Sequence, residues 1–381
     1  MKEGYSHNFK VMKKIGLLRE NQYSNIAVLI PQNIRQLKSE AVFFIETNAG
    51  LASGYSDEDY KKAGATIISS KSELINVADV ILSYSAVIGN EEINSNKTFV
   101  GAYDVLNDYS TIMPFQKKGL SVYSLNLLPR TTIAQSMDIL SSVASILGYK
   151  AVLIASTISP ITIPMISGAG GTLRPANVLI LGAGVAGLQA IATAKRLGAI
   201  VRAFDVRKAS KTDVESLGAE FIDIEGAIDS SNAGGYAVEQ DKAYLEKVDE
   251  ILFNEAINAD IIISTAKIPG KKAPILISEA AIKAMKPDSV IVDLAADTGG
   301  NSALTQKGKT IVTDNRITIV GDTRMLGKIA KSASFLLANN FASFLKHYLA
   351  NDDNDEILNA TKVITNGKVT NPRLVAEIEN L

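Results

Sequence analysis

Short apolar runs alternate with amphipathic segments along the first third of the chain. Ala41–Ile45 is predicted as a buried strand, and Thr66–Ile68 and Val80–Leu82 are predicted as further strands. Between them, Ser56 and Asp59 form a capping-box pattern that predicts a helix over Asp57–Ala63, and Ser72 is expected to start another helix. Strands that alternate with helices in this way indicate a parallel sheet.

Longer apolar patterns predict helices in the middle and near the end of the chain. One covers Arg130–Leu147, with Gly148 as its stop, and another covers Ile329–Leu349. The apolar stretch Ala151–Ile166 contains two prolines and is shorter than the about 20 residues that a membrane-spanning helix needs, so it is expected to be buried in protein. The acidic segment Asn351–Glu356 is expected to be a solvated turn.

A glycine motif stands between two strand-like runs of the second half. Asn177–Leu181 is a short apolar strand that leads directly into GAGVAG (182–187) and an amphipathic helix ending at Gly198. The next strand, Ile200–Phe204, ends at Asp205. A G-x-G-x-x-G motif alone is weak evidence. The preceding strand, the following helix and the later acidic residue together give the context of a dinucleotide-binding site.

Each position of this motif has a chemical reason. Gly182 permits a tight turn, Gly184 lets the backbone approach a pyrophosphate, and Gly187 lets helix and strand pack closely. The phosphates would lie at a helix N-terminus, where free N–H groups favour negative charge. Asp205 would accept hydrogen bonds from the ribose and would repel the 2′-phosphate of NADP(H), so NAD(H) is the expected cofactor. Arg207 and Lys208 oppose that selection, because a nearby basic residue can hold the phosphate.

Two later strands, Asp260–Ser264 and Ser289–Leu294, end at the same expected crevice, because loops at the carboxyl ends of parallel strands line it. The predicted cofactor contacts are Gly182, Gly184, Val185, Ala186, Gly187, Asp205, Val206, Arg207, Thr265, Ala266, Leu294 and Ala295. The alternatives are a glycine-rich turn without a ligand and, for the last four residues, plain connecting loops.

The order of these elements predicts the domain organisation. A chain of 381 residues exceeds one ordinary domain. Because long helices precede and follow the second strand–helix series, the first domain is expected to be discontinuous. The sequence therefore predicts an α/β fold with two Rossmann-like domains and parallel sheets. Residues 1–134 and 327–381 form the first domain, completed by the C-terminal helix, and residues 135–326 form the NAD(H)-binding domain.

Composition narrows the possible functions. Lys plus Arg (39) nearly balance Asp plus Glu (40), so no nucleic-acid partner is expected. The absence of cysteine excludes disulfides and thiolate chemistry and fits a reducing cytoplasm. Two isolated histidines without cysteine predict no metal cluster, and a carboxylate site for Mg²⁺ is the alternative. The first residues lack the apolar core of a signal peptide, and the chain is expected to be soluble, with no direct membrane insertion.

Longer segments carry a family resemblance: ETNAGLASGYSDEDYKKAGA (46–65), PRTTIAQSMDILSS (129–142), GAGVAGLQAIATAKRLGA (182–199), FDVR (204–207), GGYA (234–237), STAKIPGKKAPILIS (264–278) and VDLAADTGGN (292–301). They resemble the NAD(H)-binding component (alpha subunit, domain I) of proton-translocating NAD(P) transhydrogenase, a family related to alanine dehydrogenase. The resemblance covers nearly the whole chain.

The resemblance implies a homodimer that docks on a separate NADP(H)-binding component and a membrane proton channel. Hydride would pass directly from NADH to NADP⁺ on that partner, coupled to proton translocation. The protein would be cytoplasmic and peripheral to the inner membrane. The matched catalytic residues are Arg130, Gln135, Asp138 and Ser141, in a polar cluster beside the nicotinamide, and Tyr236 of a mobile loop.

The segment 129–142, which carries the polar cluster, departs from the family's usual sequence at three positions. Thr131, Thr132 and Ile133 stand where the family usually has Ile-Ser-Arg, which removes an arginine at 133. On a continuous helix, Arg130 and Asp138 would share one face with the serine at 141.

An alanine-dehydrogenase-like enzyme is the alternative interpretation. Such an enzyme needs a general base, usually histidine, and cationic groups for the substrate carboxylate. His7 lies in the N-terminal tail and His347 near the end of the last helix, while Asn25 or Ile26 and Ser83 stand where the arginine and lysine are expected. Hydride exchange between two nicotinamides moves no substrate proton, so these absences favour transhydrogenation. A non-catalytic NAD(H) sensor is the third hypothesis.

Overall fold

The computed structural model describes residues 12–21, 24–85, 88–89, 93–94, 96–226, 242–268, 270–352 and 354–378. The chain divides into two units: unit 1 is Met1–Ile139 with Ile329–Leu381, and unit 2 is Leu140–Lys328. The fold is α/β with two mainly parallel sheets. The functional domain boundaries expected from the sequence, at 134/135 and 326/327, stay a prediction.

Unit 1 begins with strands and helices in alternation: β1 (Lys13–Leu17), α1 (Pro31–Leu37), β2 (Ala41–Glu46), α2 (Asp57–Ala63), β3 (Thr66–Ile68), α3 (Lys71–Val77), β4 (Val80–Leu82), β5 (Thr98–Gly101), α4 (Met113–Lys117) and β6 (Ser121–Ser124). The strands pair in parallel in the order β6-β5-β4-β1-β2-β3. The predicted capping box of α2 is confirmed. The predicted start of α3 is wrong, because the Ser70 side chain, not Ser72, accepts the hydrogen bond from Glu73 N.

Unit 2 contains a long helix, a hairpin and a second alternating series: α5 (Ile139–Ile158), β7 (Ile166–Gly168), β8 (Gly171–Leu173), β9 (Asn177–Leu181), α6 (Val185–Arg196), β10 (Ile200–Phe204), α7 (Ser210–Ser216), β11 (Glu220–Phe221), α8 (Lys242–Asn258), β12 (Ile261–Ser264), α9 (Glu279–Ala284), β13 (Val290–Asp293), β14 (Thr310–Val312) and β15 (Thr318–Val320). The sheet order is β11-β10-β9-β12-β13-β15-β14. All pairs are parallel except the edge strand β14, and β9 stands where the strand order reverses, as in dinucleotide-binding sheets.

Helix α5 starts later and ends later than the sequence predicts. It begins at Ile139, passes through Gly148 and continues to Ile158, so the expected stop at Gly148 is wrong. A Cβ at Gly148 would overlap the backbone carbonyl of Ala186, so glycine is needed there because α5 and the first turn of α6 pack closely. Residues 151–158, the first half of the apolar stretch Ala151–Ile166, therefore belong to α5.

The length and composition of α5 also pass the test for a membrane span, and in the described part of the chain it is the one helix that does so. Its residues Ala151, Val152 and Ala155 are buried in the core of unit 2, against β9 and α6. A third of its most apolar window is buried in total. We therefore describe α5 as a partly buried core helix.

Both faces of the unit 2 sheet are covered by apolar layers. Val178 and Ile180 of β9 pack on the side of α5 and α6, whereas Leu179 and Leu181 pack on the side of α8 and α9. This alternation follows from the period of two along a strand. Because the faces are filled, the loops at the carboxyl ends of the strands are the part of the sheet where a ligand finds space.

The C-terminal residues return to unit 1 as α10 (Ala330–Ala350), α11 (Glu356–Thr361), β16 (Lys362–Thr365), β17 (Lys368–Val369) and α12 (Pro372–Ile378). The predicted C-terminal helix is confirmed as α10. The two short strands were not predicted: β16 pairs antiparallel with β6, and β17 with β16, so they extend the first sheet. Within the segment expected to be a turn, Asp355 caps α11 and pairs with His347 at 2.8 Å.

Candidate functional site

The glycine loop between β9 and α6 is built from backbone that packs very closely. Gly182 has a φ of +96°, which favours glycine, and a Cβ there would lie 2.6 Å from Thr265 Oγ1. A Cβ at Gly187 would overlap the carbonyl oxygen of Gly182. The first and third glycines are therefore required by the fold itself, because the loop must turn sharply and α6 must approach it.

Gly184, unlike the other two glycines, is not required by the packing of the fold. It is the N-cap of α6 with an extended backbone (φ −79°), and no side-chain hydrogen bond caps the helix there. A Cβ at Gly184 would meet open space, the nearest atom being Arg207 Nη2 at 4.0 Å. The next residue, Val185, is 46% exposed. The helix thus offers its first N–H groups at an open surface, an arrangement that binds anionic phosphate.

Asp205 follows β10 and links the glycine loop to the loop after β10. Its carboxylate accepts hydrogen bonds from Ala183 N at 2.7 Å, from Arg207 N at 2.9 Å and from the Arg207 guanidinium at 2.9 and 2.8 Å. The Asp205 side chain is only 7% exposed, and its hydrogen bond raises the pKa of Arg207 above its usual range. The carboxylate that would repel a 2′-phosphate is therefore charge-paired, which weakens that repulsion.

The loops after β12 and β13 are tied down by the protein's own hydrogen bonds. Thr265 Oγ1 donates to Leu181 O at 3.3 Å and Gly182 O at 3.0 Å, so this hydroxyl supports the glycine loop. Leu294 is half-buried, and Ala295 is 0% exposed. Of the residues predicted on these loops, Thr265, Ala266 and Leu294 thus present partly exposed surface, and Ala295 presents none.

Asn301 is a structural residue of this site that the sequence reasoning missed. Its Oδ1 accepts from Ala266 N at 3.0 Å, and its Nδ2 donates to Ala266 O at 2.9 Å and Pro274 O at 2.8 Å. The side chain is fully buried and mimics a peptide group that pairs with the loop after β12. The signal was the GGN of the VDLAADTGGN segment, to which no role had been given.

Asp293 holds Asn301 in place from the end of β13. It is 1% exposed and accepts from the backbone N–H groups of Ala295, Asn301 and Ser302, at 3.0, 2.7 and 3.1 Å. Thr305 Oγ1 donates to the same carboxylate at 2.6 Å. A buried carboxylate with several donors is stabilised, so Asp293 and Asn301 together fix the loops after β12 and β13.

The predicted polar cluster is not on a continuous helix, so the expectation of one shared face is wrong. Residues 134–137 form a short 3₁₀ helix, and Asp138 has an extended backbone (φ −68°, ψ 94°) that separates it from α5. Arg130 and Gln135 are exposed, Asp138 is half-buried, and Ser141 lies in the first turn of α5. Tyr236 lies outside the described residues.

The strand order and the open glycine loop define a dinucleotide-binding α/β protein. Residues 16–147 and 151–372 match the family models "Alanine dehydrogenase/PNT, N-terminal domain" and "Alanine dehydrogenase/PNT, C-terminal domain". The chain is 38% identical to the first part of the NAD(P) transhydrogenase alpha subunit of Rhodospirillum rubrum, over 96% of this chain and 99% of that protein.

Two solved structures have the same fold. A transhydrogenase from Sinorhizobium meliloti aligns with a TM-score of 0.83 and 34% identity, over 95% of this chain and 100% of that one. An L-alanine dehydrogenase aligns with a TM-score of 0.80 at 20% identity, over 96% and 99% of the two chains, and shows the fold alone. The chain belongs to the family of NAD(P) transhydrogenase alpha subunits. Its C-terminal family domain is an NAD(H)-binding domain, and the family works with other transhydrogenase components.

Proposed function

We propose that this chain binds NADH and passes its hydride directly to NADP⁺ held on a separate NADP(H)-binding component, in an enzyme coupled to proton translocation. Its own contribution is to hold the dinucleotide at the exposed N-terminus of α6, beside Gly184, and to present the nicotinamide to the partner. The proposal places the chain in the cytoplasm, peripheral to the inner membrane, where NADP(H)-binding and proton-channel subunits hold it.

Transhydrogenation is favoured over amino-acid oxidation by uncharged side chains in unit 1. They stand at the positions where an alanine dehydrogenase would have an arginine and a lysine for the substrate carboxylate. Ile26 is buried there, and Ser83 Oγ lies 3.3 Å from the hydroxyl of Tyr103. Burial raises the pKa of Tyr103 well above its usual range, so this hydroxyl stays protonated and does not act as a base near neutral pH. None of the three binds a substrate carboxylate by charge.

His347 also fits a structural role better than a catalytic one. Its Nε2 lies 2.8 Å from Asp355 Oδ1, and the same carboxylate accepts from Leu358 N at 2.9 Å to cap α11. The imidazole therefore holds the connection between α10 and α11.

We assign the nicotinamide end of the dinucleotide to the residues that match the family's polar cluster: Arg130, Gln135, Asp138, Ser141 and Tyr236. The exposed amide of Gln135 supports this assignment, because it offers both a donor and an acceptor without a titrating group. Such groups orient a nicotinamide and leave its hydride as the only transferred species.

A stopped-flow assay with the purified chain, NADH and a recombinant NADP(H)-binding component tests the proposal. Hydride transfer to NADP⁺ is expected only when both components are present. Gln135→Asn is expected to slow transfer about tenfold, because the shorter side chain misplaces the amide by about 1 Å.

His347→Ala serves as the control and is expected to transfer hydride at the rate of the unmodified chain. Alanine-dependent reduction of NAD⁺ by the isolated chain would establish the dehydrogenase alternative instead. NADH binding without transfer in every reconstitution would establish a sensor.

We further propose that two copies form a homodimer through an apolar face of unit 2. Leu140 and Ile158 lie on the same side of α5, and Met165, Ile166 and Leu173 lie in or beside the β7–β8 hairpin. These five large apolar side chains are 37–63% exposed. Exposed apolar residues at this density are typical of an interaction surface. A second copy is the proposed occupant because the resemblance to the family implies a homodimer.

Sedimentation velocity tests the homodimer. The unmodified chain is expected to sediment as a dimer at micromolar concentration, and Ile166→Asp combined with Leu173→Asp as a monomer, because buried unpaired carboxylates oppose association. Val312→Asp, on the edge strand β14 and 66% exposed, is the matched control and should remain dimeric. A double variant that still sediments as a dimer rejects this face.

A further inference from the structure

We infer that Asn340 of α10 is a positioning residue for the short 3₁₀ helix Ala134–Met137, the Gln135 segment. This inference rests on the proposed function, in which Gln135 meets the nicotinamide. The Asn340 side-chain amide donates a hydrogen bond from Nδ2 to the backbone carbonyl of Ser136 at 2.9 Å. Asn340 is 8% exposed, so the donor side of this part-buried bond is largely shielded from water.

The Gln135 segment needs such support because it makes few regular hydrogen bonds of its own. It is a 3₁₀ helix of four residues, a form with poor internal geometry. Asp138 N donates to Gln135 O at 3.3 Å, and Gln135 N to Thr132 O at 3.4 Å, both long contacts. The conformation of the segment is therefore set largely by what it packs against.

Two buried apolar side chains and the hydrogen bond from Asn340 are among the contacts that hold the segment. Ala134 and Met137 are 1% and 4% exposed, whereas Gln135 and Ser136 between them are exposed. Apolar contacts alone permit rotation and sliding, because they have no direction. The bond from Asn340 to the Ser136 carbonyl fixes the orientation of the peptide that joins Ser136 to Met137, and in this inference it thereby holds the backbone from which the Gln135 side chain extends.

The matched pair Asn340→Ala and Asn339→Ala tests the inference. Asn339, the preceding residue of α10, accepts from Asn33 Nδ2 at 3.0 Å and so holds α1 instead. Asn340→Ala is expected to lower the stopped-flow hydride-transfer rate about tenfold, with the Kd for NADH changed less than about twofold. Asn339→Ala is expected to lower the melting temperature similarly and to leave the rate unchanged.

A double-mutant cycle gives a readout that a purely structural role would not change. In a Gln135→Ala background, Asn340→Ala is expected to slow transfer no further, because the amide it positions is gone. Additive losses would overturn the inference, as would equal rate losses for Asn339→Ala and Asn340→Ala. If Asn340→Ala does not fold, Asn340→Asp replaces it, since a carboxylate has the same shape and no donor for the Ser136 carbonyl.

Failure of the inference and failure of the proposed function give different results. If Gln135→Ala transfers hydride normally, the assignment of Gln135 to the nicotinamide is wrong. If Gln135→Ala is slow and Asn340→Ala is not, only the positioning role of Asn340 is rejected.

Discussion

Changing Gly184 to alanine is expected to weaken NADH binding at least about a hundredfold while leaving the thermal stability of the protein unchanged. A Cβ at this position meets open space, and the backbone φ of −79° is available to alanine, so the fold tolerates it. The added methyl group would occupy the surface over which the pyrophosphate approaches the first turn of α6. Fluorescence titration with NADH and a thermal melt measure the two quantities.

Gly187→Ala is the matched control, with the same added methyl group three residues further on. Its Cβ would overlap the carbonyl oxygen of Gly182, so α6 must move away from the loop. The free energy of unfolding is expected to fall by about 1–3 kcal/mol, as for other overpacked sites. Unchanged NADH binding by Gly184→Ala would contradict the role of this surface, and unchanged stability of Gly187→Ala would contradict the packing.

The dinucleotide-binding half of the fold could be predicted from the sequence because its signals are local. The strands Asn177–Leu181 and Ile200–Phe204 have the predicted bounds, since each is a mostly apolar run that ends directly before Gly182 or Asp205. The turn after the first of these strands is determined by glycines that all lie within the six residues of the motif. What the sequence did not indicate is that Asp205 and Arg207, expected to oppose each other in cofactor selection, form one ion pair.

The cluster segment shows why periodicity fails where tertiary contacts decide. The apolar spacing of Ile133, Met137 and Leu140 predicted a helix from Arg130, but Ile133 is 68% exposed and Met137 is 4% exposed. The buried pair Ala134 and Met137 faces α10, which lies some 200 residues later in the chain. A helix pattern in the local sequence carries no information about that distant partner.

The C-terminal strands β16 and β17 could not be predicted from the local sequence, because they depend on pairing with a distant strand. β16 has four residues and β17 two, which is too short for a reliable period-two pattern. β16 forms because it pairs with β6, a strand in the first third of the chain. Gly148 illustrates the same limit: local rules predicted a helix stop, whereas close packing of α5 on Ala186 explains the glycine.

Replacing Asn301 by leucine is expected to lower the free energy of unfolding by about 3–5 kcal/mol and to weaken NADH binding about tenfold. Leucine fills a similar volume but leaves the N–H and carbonyl of Ala266 and the carbonyl of Pro274 without the partner they have now. Each unpaired buried group costs about 1–3 kcal/mol. The loop after β12 would shift to reach water, and Thr265 would move with it, away from the Gly182 carbonyl. Chemical denaturation and NADH titration measure the two effects.

Asn315→Leu separates the effect on the site from the effect on stability. Asn315 Nδ2 donates to Ile282 O at 2.8 Å, and its Oδ1 accepts from Thr313 at 2.7 Å, so it also ties backbone elements of unit 2 together. These bonds lie at the amino end of β15, whereas the glycine loop and Asn301 follow the carboxyl ends of β9 and β13. Asn315→Leu is therefore expected to lower stability with unchanged NADH affinity at temperatures where it is folded. If both variants weaken NADH binding equally, Asn301 acts only through general stability, and the cofactor does not depend on the loop it holds.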